Sequence, residues 1–474
     1  MLLERYYDDS LAQASFLIGC ERSREAIVID PNRDTERYVA AAAAHRMAIR
    51  YVTETHVHAD FLSGSRALAE RTKATLLLSG HGGKDWSYRF GEDNGSRTVR
   101  EGERIQVGSV VLEVLHMPGH TPEHIVFVVT DTATADRAMG MVTGDFVFVG
   151  DVGRPDLLER AAGVADTMDA AARQLYQSLQ RLQQLPDYLQ LWPGHGAGSA
   201  CGKSLGSVPQ TTLGYERLVN PAFQHKTADA FARWVLADQP EPPRYFAVMK
   251  QLNRDGPPPR PDFDSFRQLD AAAVASALRQ HHWVVDVRST ADFAKLHVAG
   301  AINIPASHSL PTYAGTVLDY ARPIVIIANT REQAQKVIAQ LALIGMDNVA
   351  GFTTLAVLDQ LKSEYPLATT RSVQAQAVMQ RLDGDGTGPQ VIDVRKSSEW
   401  NAGHLPHATH VFLGDLEARM QDADRDAPLV VHCQTGSRAS IAASLLRARG
   451  FTDVAVLAGG YEGWRKSGLP VITE

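Results

Sequence analysis

The sequence predicts an α/β protein of three units, and three observations lead there. A segment around Asp286 recurs around Asp393, 107 residues later. A proline-rich spacer separates that repeat from everything before it. The N-terminal stretch carries histidines in compact clusters, each behind an apolar run. A chain of 474 residues also exceeds one core, since domains commonly hold about 100–200 residues.

The repeat justifies the two C-terminal units. QHHWVVDVRSTADFAKLHVAGAINIP and PQVIDVRKSSEWNAGHLPHATHVF each end an apolar strand in Asp-Val-Arg. A histidine follows the aspartate by eleven residues and an alanine follows four later, giving Asp286/His297/Ala301 and Asp393/His404/Ala408. Each copy continues into a second apolar strand (PIVIIA, PLVVHC), a helix and a glycine-led return, the alternation of a parallel sheet. The run RDGPPPRPDF cannot continue a helix and reads as a linker. Boundaries are therefore expected at 1–245 for the first unit, 246–263 for the linker, 264–370 for the middle unit and 371–474 for the last.

Composition excludes several functions. With 44% hydrophobic residues, 21% charged residues and a net charge of -7, the chain has no basic footprint for nucleic acid. No Lys/Arg-rich run suits an anionic membrane surface, and no stretch approaches the ~18 apolar residues of a span. MLLERYYDDSLAQ lacks an apolar core behind a basic start, so no secretory signal is expected. Three cysteines, Cys20, Cys201 and Cys433, argue for single thiols in a reducing cytoplasm. The expected partners are small molecules, and a homo-oligomer is compatible with the sequence.

In the first unit, His56 and His58 lie in THVHADF, His116, His120 and His124 in LHMPGHTPEH, Asp145 in MVTGDF and His195 in LWPGHG. Each group stands where an apolar strand gives way to a loop, the usual position of functional side chains. Imidazole and carboxylate ligands from several strands suit zinc, or iron held by two histidines and one carboxylate.

The order HxHxD, PGHT, TGD, PGHG resembles the metallo-β-lactamase fold over about the first 200 residues, which implies an αββα sandwich. In the dinuclear hydrolases of that fold, such as glyoxalase II, HxHxDH feeds two metals. Here Phe61 replaces the closing histidine, and a benzyl group cannot coordinate, so one metal is expected. SREAIVIDP, THVHADFLSG and GDVGRPDL resemble the persulfide dioxygenases, the mononuclear iron branch, many of which keep that histidine. The resemblance implies Fe(II), one per chain, on His56, His120 and Asp145, with O2 as co-substrate. It makes His58, Asp60 and His195 groups that orient ligands, water or substrate. Arg154 is a candidate for an anionic part of the thiol carrier. Cys201, six residues past His195 in GHGAGSACGK, is a candidate sulfur acceptor or redox thiol; that segment resembles dioxygenase–sulfurtransferase fusions.

In the last unit HCQTGSRAS follows the strand PLVV and precedes an apolar-spaced helix stopped by Gly450. A cysteine there meets backbone N–H groups, a helix N-terminus and Arg438, all of which favour a thiolate. The C-x4-R loop, with DVR, GHLPHA and LAGGYEGW around it, resembles rhodanese, a thiosulfate sulfurtransferase; related phosphatases use a loop one residue longer. The resemblance implies that Cys433 carries a persulfide, with Arg438 as catalytic partner and Gln434, Thr435, Gly436 and Ser437 as its cradle. In the middle unit, aligning IVIIA with LVVHC puts Ala328 at the cysteine position, so a rhodanese-like domain without a nucleophile is expected.

The expected activity is oxidation of a low-molecular-weight thiol persulfide with O2 to sulfite, and formation of thiosulfate through Cys433. A glyoxalase II-like thioester hydrolase and a non-oxidative persulfide carrier are the rival readings.

Overall fold

The computed structural model describes residues 1–90, 95–161, 163–262, 266–382 and 388–473. They form two compact units, Met1–Arg260 with Ala342–Gly345, and Pro261–Leu341 with Met346–Glu474. No described helix is long and apolar enough to cross a membrane.

The first unit stacks two six-stranded sheets. One runs in chain order from Leu2–Asp8 through Gln13–Cys20, Glu25–Ile29, Ala48–Thr53 and Thr75–Ser79 to Ser96–Val99. The other runs through Arg104–Val107, Val110–His116, Ile125–Asp131, Gly140–Gly144, Gln190–Pro193 and Thr211–Thr212. Alternation along the strands makes the layers: Ala14, Phe16 and Ile18 meet Leu112, Phe127 and Trp192 between the sheets. Leu17, of opposite parity, packs outward on Tyr38 and Ala42 of the helix Glu36–Ala44. Leu175 and Leu179 of the helix Met168–Leu182 cover Met141 and Leu191 on the far side. Helix, sheet, sheet, helix is the sandwich that the resemblance implied.

The expected linker at 246–263 is corrected at its start. Tyr245–Asp255 is a helix of the first unit, burying Tyr245, Phe246 and Met249. Gly256, at φ +116°, ends it, so the prolines fall outside and say nothing about the residues before them. Phe263, the last expected linker residue, and residues 264 and 265, which open the expected middle domain, lie outside the described residues.

The second unit contains two copies of one parallel sheet. In the middle domain the spatial order is Ile302–Asn303, Trp283–Asp286, Ile324–Ala328, Val349–Thr354. In the last it is Arg371–Val373, Val454–Leu457, Leu429–His432, Gln390–Asp393, Ala408–His410. The repeated Asp-Val-Arg is a buried ion pair in both: Arg288 folds back on Asp286 and Arg395 on Asp393. The repeated histidine is structural in both. His297 lies flat on Phe293 with centroids 3.8 Å apart, His404 on Trp400 at 3.7 Å, and each donates Nδ1–H to that aromatic residue's carbonyl.

A pH dependence follows for His297. Burial pushes its pKa down to about 4, against the Phe293 carbonyl, which favours the proton. A histidine whose folded pKa lies below its unfolded value of about 6.5 costs stability as pH falls between the two. Hydrogen-exchange protection in the strand Trp283–Asp286, corrected for the intrinsic exchange rate at each pH, is expected to fall from pH 7 to 4.5, and much less in His297→Gln, which cannot protonate. An equal loss of protection in both proteins would put the acid sensitivity elsewhere.

Candidate metal centre and cysteine loop

Four loops begin where four strands end. His56 lies three residues past Ala48–Thr53, His120 four past Val110–His116, Asp145 directly after Gly140–Gly144 and His195 two past Gln190–Pro193. Both sheets thus deliver side chains to one rim of the sandwich. His56, His120 and Asp145 are buried and offer one ligand atom each, all within 4.8 Å of one another. Asp145 Oδ2 is 3.8 Å from His56 Nε2 and 3.5 Å from His120 Nε2.

The remaining atoms of these residues are engaged so as to point the ligand atoms inward. Thr55 donates its hydroxyl to Asp30 Oδ2 at 2.8 Å, so at 2.9 Å its oxygen accepts Nδ1–H of His56. His120 donates Nδ1–H to the Arg154 carbonyl at 2.9 Å. Both rings therefore present an Nε2 lone pair, set by the bond on the opposite nitrogen. Asp145 Oδ1 accepts from His195 Nδ1 at 2.7 Å, and the Asp145 amide donates to His124 Nε2 at 3.1 Å. His56 Nε2 and Asp145 Oδ2 are left buried with no hydrogen-bond partner among the described residues. Leaving a buried polar atom unpaired costs about 1–3 kcal/mol, more when charged. Two converging orphans fit a cation. Glycine makes the approach possible: Gly144 has φ +50°, and a Cβ there would stand 2.4 Å from Thr55 Oγ1.

Protonation follows the same pattern. Burial, reinforced by the other histidines, holds His56 neutral, well below the usual range. Burial outweighs Asp145 at His120 and pushes it down to about 4. For Asp145 burial opposes ionisation, yet the His195 charge and hydrogen bond overcome it and depress its pKa. Two neutral imidazoles and one carboxylate are what a divalent metal takes.

His58, Asp60 and His195 surround this set. His58 donates Nε2–H to Asp30 at 3.1 Å, and that carboxylate overcomes burial to push its pKa up to about 9. His195 joins Asp145 to Asp60, 2.7 Å from each, and the two carboxylates overcome burial to hold its pKa well above the usual imidazole range. Asp60, His195 and Cys201 form a second trio within 4.8 Å, but both His195 nitrogens are already engaged. Burial and then Asp60 and Asp145 drive the Cys201 thiol well up, keeping its proton on. Phe61 is fully buried against His58, with centroids 4.3 Å apart.

Arg154 is a correction. Its guanidinium is fully buried, paired to Asp156 at 2.7 and 2.8 Å and donating to the Ala200 carbonyl. It locks the loop whose own carbonyl orients His120 and presents no charge to a substrate. The partner two residues away was visible in GRPDL, but an arginine–aspartate pair at that spacing is as common on a surface. Three positioning residues escaped the sequence reading. Asp30 ends SREAIVID, and Thr55 is the first residue of THVHADF. Asn253 donates to the His58 and Phe61 carbonyls and accepts the Ser63 N–H from about 190 residues away. No local signal marks Asn253.

The cysteine loop sits in the second unit. Asp393 pairs in register with His432, and Asp286 with Ile327, so the next residues, Cys433 and Ala328, occupy the same place in the two sheets. Cys433 to Gly436 join the strand to the helix Ser437–Ala448; Asn329 and Thr330 alone join Ala328 to the helix Arg331–Leu343. The middle loop is shorter and has a methyl group where the thiol stands. Gly436, at φ +141°, donates its N–H to Cys433 Sγ at 3.2 Å, while Thr435 and Ser437 are exposed and Gln434 partly so. Arg438 forks onto Glu399 at 2.5 and 2.8 Å, so it meets the loop as half of an ion pair. The middle domain buttresses this helix: Asn303 N–H donates to Ser444 Oγ at 3.0 Å and Asn303 Oδ1 accepts from Ser440 at 2.7 Å.

Comparison with known proteins agrees with both halves. The metallo-beta-lactamase superfamily matches residues 9–195, and the rhodanese-like domain matches 270–360 and 374–467. A solved metallo-beta-lactamase from Staphylococcus aureus subsp. aureus COL is 37% identical, with a TM-score of 0.67, over 75% of this chain and 99% of its own. The mitochondrial persulfide dioxygenase ETHE1 of Bos taurus is 27% identical over 226 residues, 47% of this chain and 75% of that protein. A probable metallo-hydrolase from Burkholderia pseudomallei (strain 1710b) is 27% identical over 220 residues, 41% of this chain and 72% of that protein.

Proposed function

We infer the function from one premise: the chain belongs to the metallo-β-lactamase superfamily and carries two rhodanese-like domains behind that unit. Its relatives include persulfide dioxygenases. The proposed activity is a persulfide dioxygenase joined to a sulfurtransferase, with one Fe(II) per chain on His56, His120 and Asp145. What supports it is the convergence of three ligand atoms on His56, His120 and Asp145, while both His195 nitrogens are engaged with carboxylates. A thioester hydrolase of the dinuclear kind needs that histidine on a second metal.

Ferrous iron held there would supply open coordination positions for sulfur and O2, while the four electrons that O2 takes come from the outer sulfur as it is oxidised to sulfite. The chain's part is to keep His56 and His120 neutral, Asp145 ionised and the site dry. The overall reaction is R-SSH + O2 + H2O giving R-SH and sulfite. In the last domain the sulfur–sulfur bond of a Cys433 persulfide breaks as sulfite takes its outer sulfur. Thiosulfate forms, and the electron pair stays on the Cys433 thiolate.

Metal analysis with an oxygen electrode tests the reading. Anaerobically prepared protein should hold one iron per chain and consume one O2 per sulfite formed from a persulfide. Two tightly bound zinc ions and thioester hydrolysis without O2 uptake would overturn it, as would sulfur relay with no O2 uptake.

A further inference from the structure

The helix Tyr245–Asp255 lies outside the matched superfamily segment, yet it is tied to the metal rim. Asn253 holds the His58 and Phe61 carbonyls of the first ligand loop. One turn earlier, on the same face, stands Lys250. Its side chain is 4% exposed, and its Nζ has no hydrogen-bond partner among the described residues. The ammonium rests over the Trp86 ring, 4.9 Å from the centroid. Its electrostatic neighbours are Glu123, Cys201 and Arg254, and it acts in turn on His120. Glu123 holds the Val57 amide with Oε1 at 2.8 Å, and its Oε2 is also buried and unpartnered.

A buried, unpaired ammonium is costly, and lysine is almost never fully buried without a partner. Burial pulls its pKa down to about 8, against Glu123, which leaves a substantial share protonated at neutral pH. Glu123 offsets part of its charge but makes no hydrogen bond to it, and Asp145 and Asp60 are both engaged with His195, so Nζ keeps its full hydrogen-bonding capacity.

We propose that Lys250 is an anion-holding residue of the metal pocket, binding the anionic outer sulfur of the substrate and the sulfite that it becomes. The choice of anion rests on the dioxygenase reading; the need for an anion rests on the orphaned ammonium. A charged hydrogen bond in a dry site contributes enough to move binding by about ten- to a hundredfold.

The test is calorimetric titration of sodium sulfite into the iron-loaded full chain. It is done in the Cys433→Ser background, which removes the other group proposed to meet sulfite, the Cys433 persulfide. Persulfide KM and kcat are measured alongside in the chain with Cys433 intact. Lys250→Met, close in length and uncharged, should keep its fold and iron, bind sulfite at least tenfold more weakly, and raise KM about tenfold while kcat changes less than threefold. Lys250→Arg should hold sulfite within about threefold of the parent. Unchanged sulfite affinity in folded Lys250→Met overturns the proposal. Recovery of affinity in Lys250→Met/Glu123→Gln also overturns it, because the lysine would then serve only to neutralise Glu123. If the parent chain takes up no O2 with a persulfide, the functional reading fails, and the sulfite titration still decides whether Lys250 holds an anion.

Discussion

His120→Ala is expected to lose its iron and to reduce persulfide-dependent O2 uptake to background, about a thousandfold or more, with sulfur transfer through Cys433 within twofold of the parent. The ring is one of the three proposed ligands, and alanine offers no donor in its place. The vacated space is walled by Asp145 and the Arg154 carbonyl, both acceptors, which leaves Asp145 Oδ2 buried with one imidazole fewer to answer it. Thr55→Val is the graded companion. It keeps every ligand but removes the hydroxyl between Asp30 and His56, freeing the ring to change tautomer. Losing such an outer partner typically costs about 10–100-fold in metal affinity. Iron content by atomic spectroscopy and O2 uptake at saturating iron separate the two variants. Full iron and full O2 uptake in His120→Ala would remove this residue from the ligand set and with it the proposed centre.

Cys433→Ser is expected to abolish thiosulfate formation while O2 consumption and sulfite release continue. Serine nearly preserves the volume at the end of the strand Leu429–His432, so the Gly436 amide still finds an acceptor. Its hydroxyl is far less acidic than a thiol and a poor sulfur acceptor, and a loss of about a thousandfold in transfer is reasonable. Sulfite should accumulate in place of thiosulfate, roughly one for each O2 consumed. Loss of O2 uptake in this variant, with iron retained, would mean that the Cys433 persulfide feeds the metal centre. Sulfur would then run from the rhodanese domain to the oxygenase, the reverse of the order proposed.

The sequence by itself determined what depends on spacing along one strand and the turn after it. Asp286 and Asp393 mark equivalent strand ends, so Ala328 and Cys433 fall at one register position, and the pairing bears that alignment out. The histidine clusters and Asp145 were legible for the same reason. Period-two strands end in polar turns, and a sandwich gathers such ends on one rim. Tertiary structure alone decided which partner each group takes. His195 is engaged by Asp60 and Asp145, from 135 and 50 residues away. Arg154 is sealed by Asp156, although an exposed arginine would carry the same letters. Residues 246–255, read as linker ahead of the prolines, continue the helix Tyr245–Asp255, which supplies Asn253 to the rim. The physical reason is one of range. Backbone periodicity and turn chemistry act over a few residues, so the local sequence sets them. Hydrogen bonds, ion pairs and burial are satisfied through space, and chain neighbours do not say which distant atom will arrive.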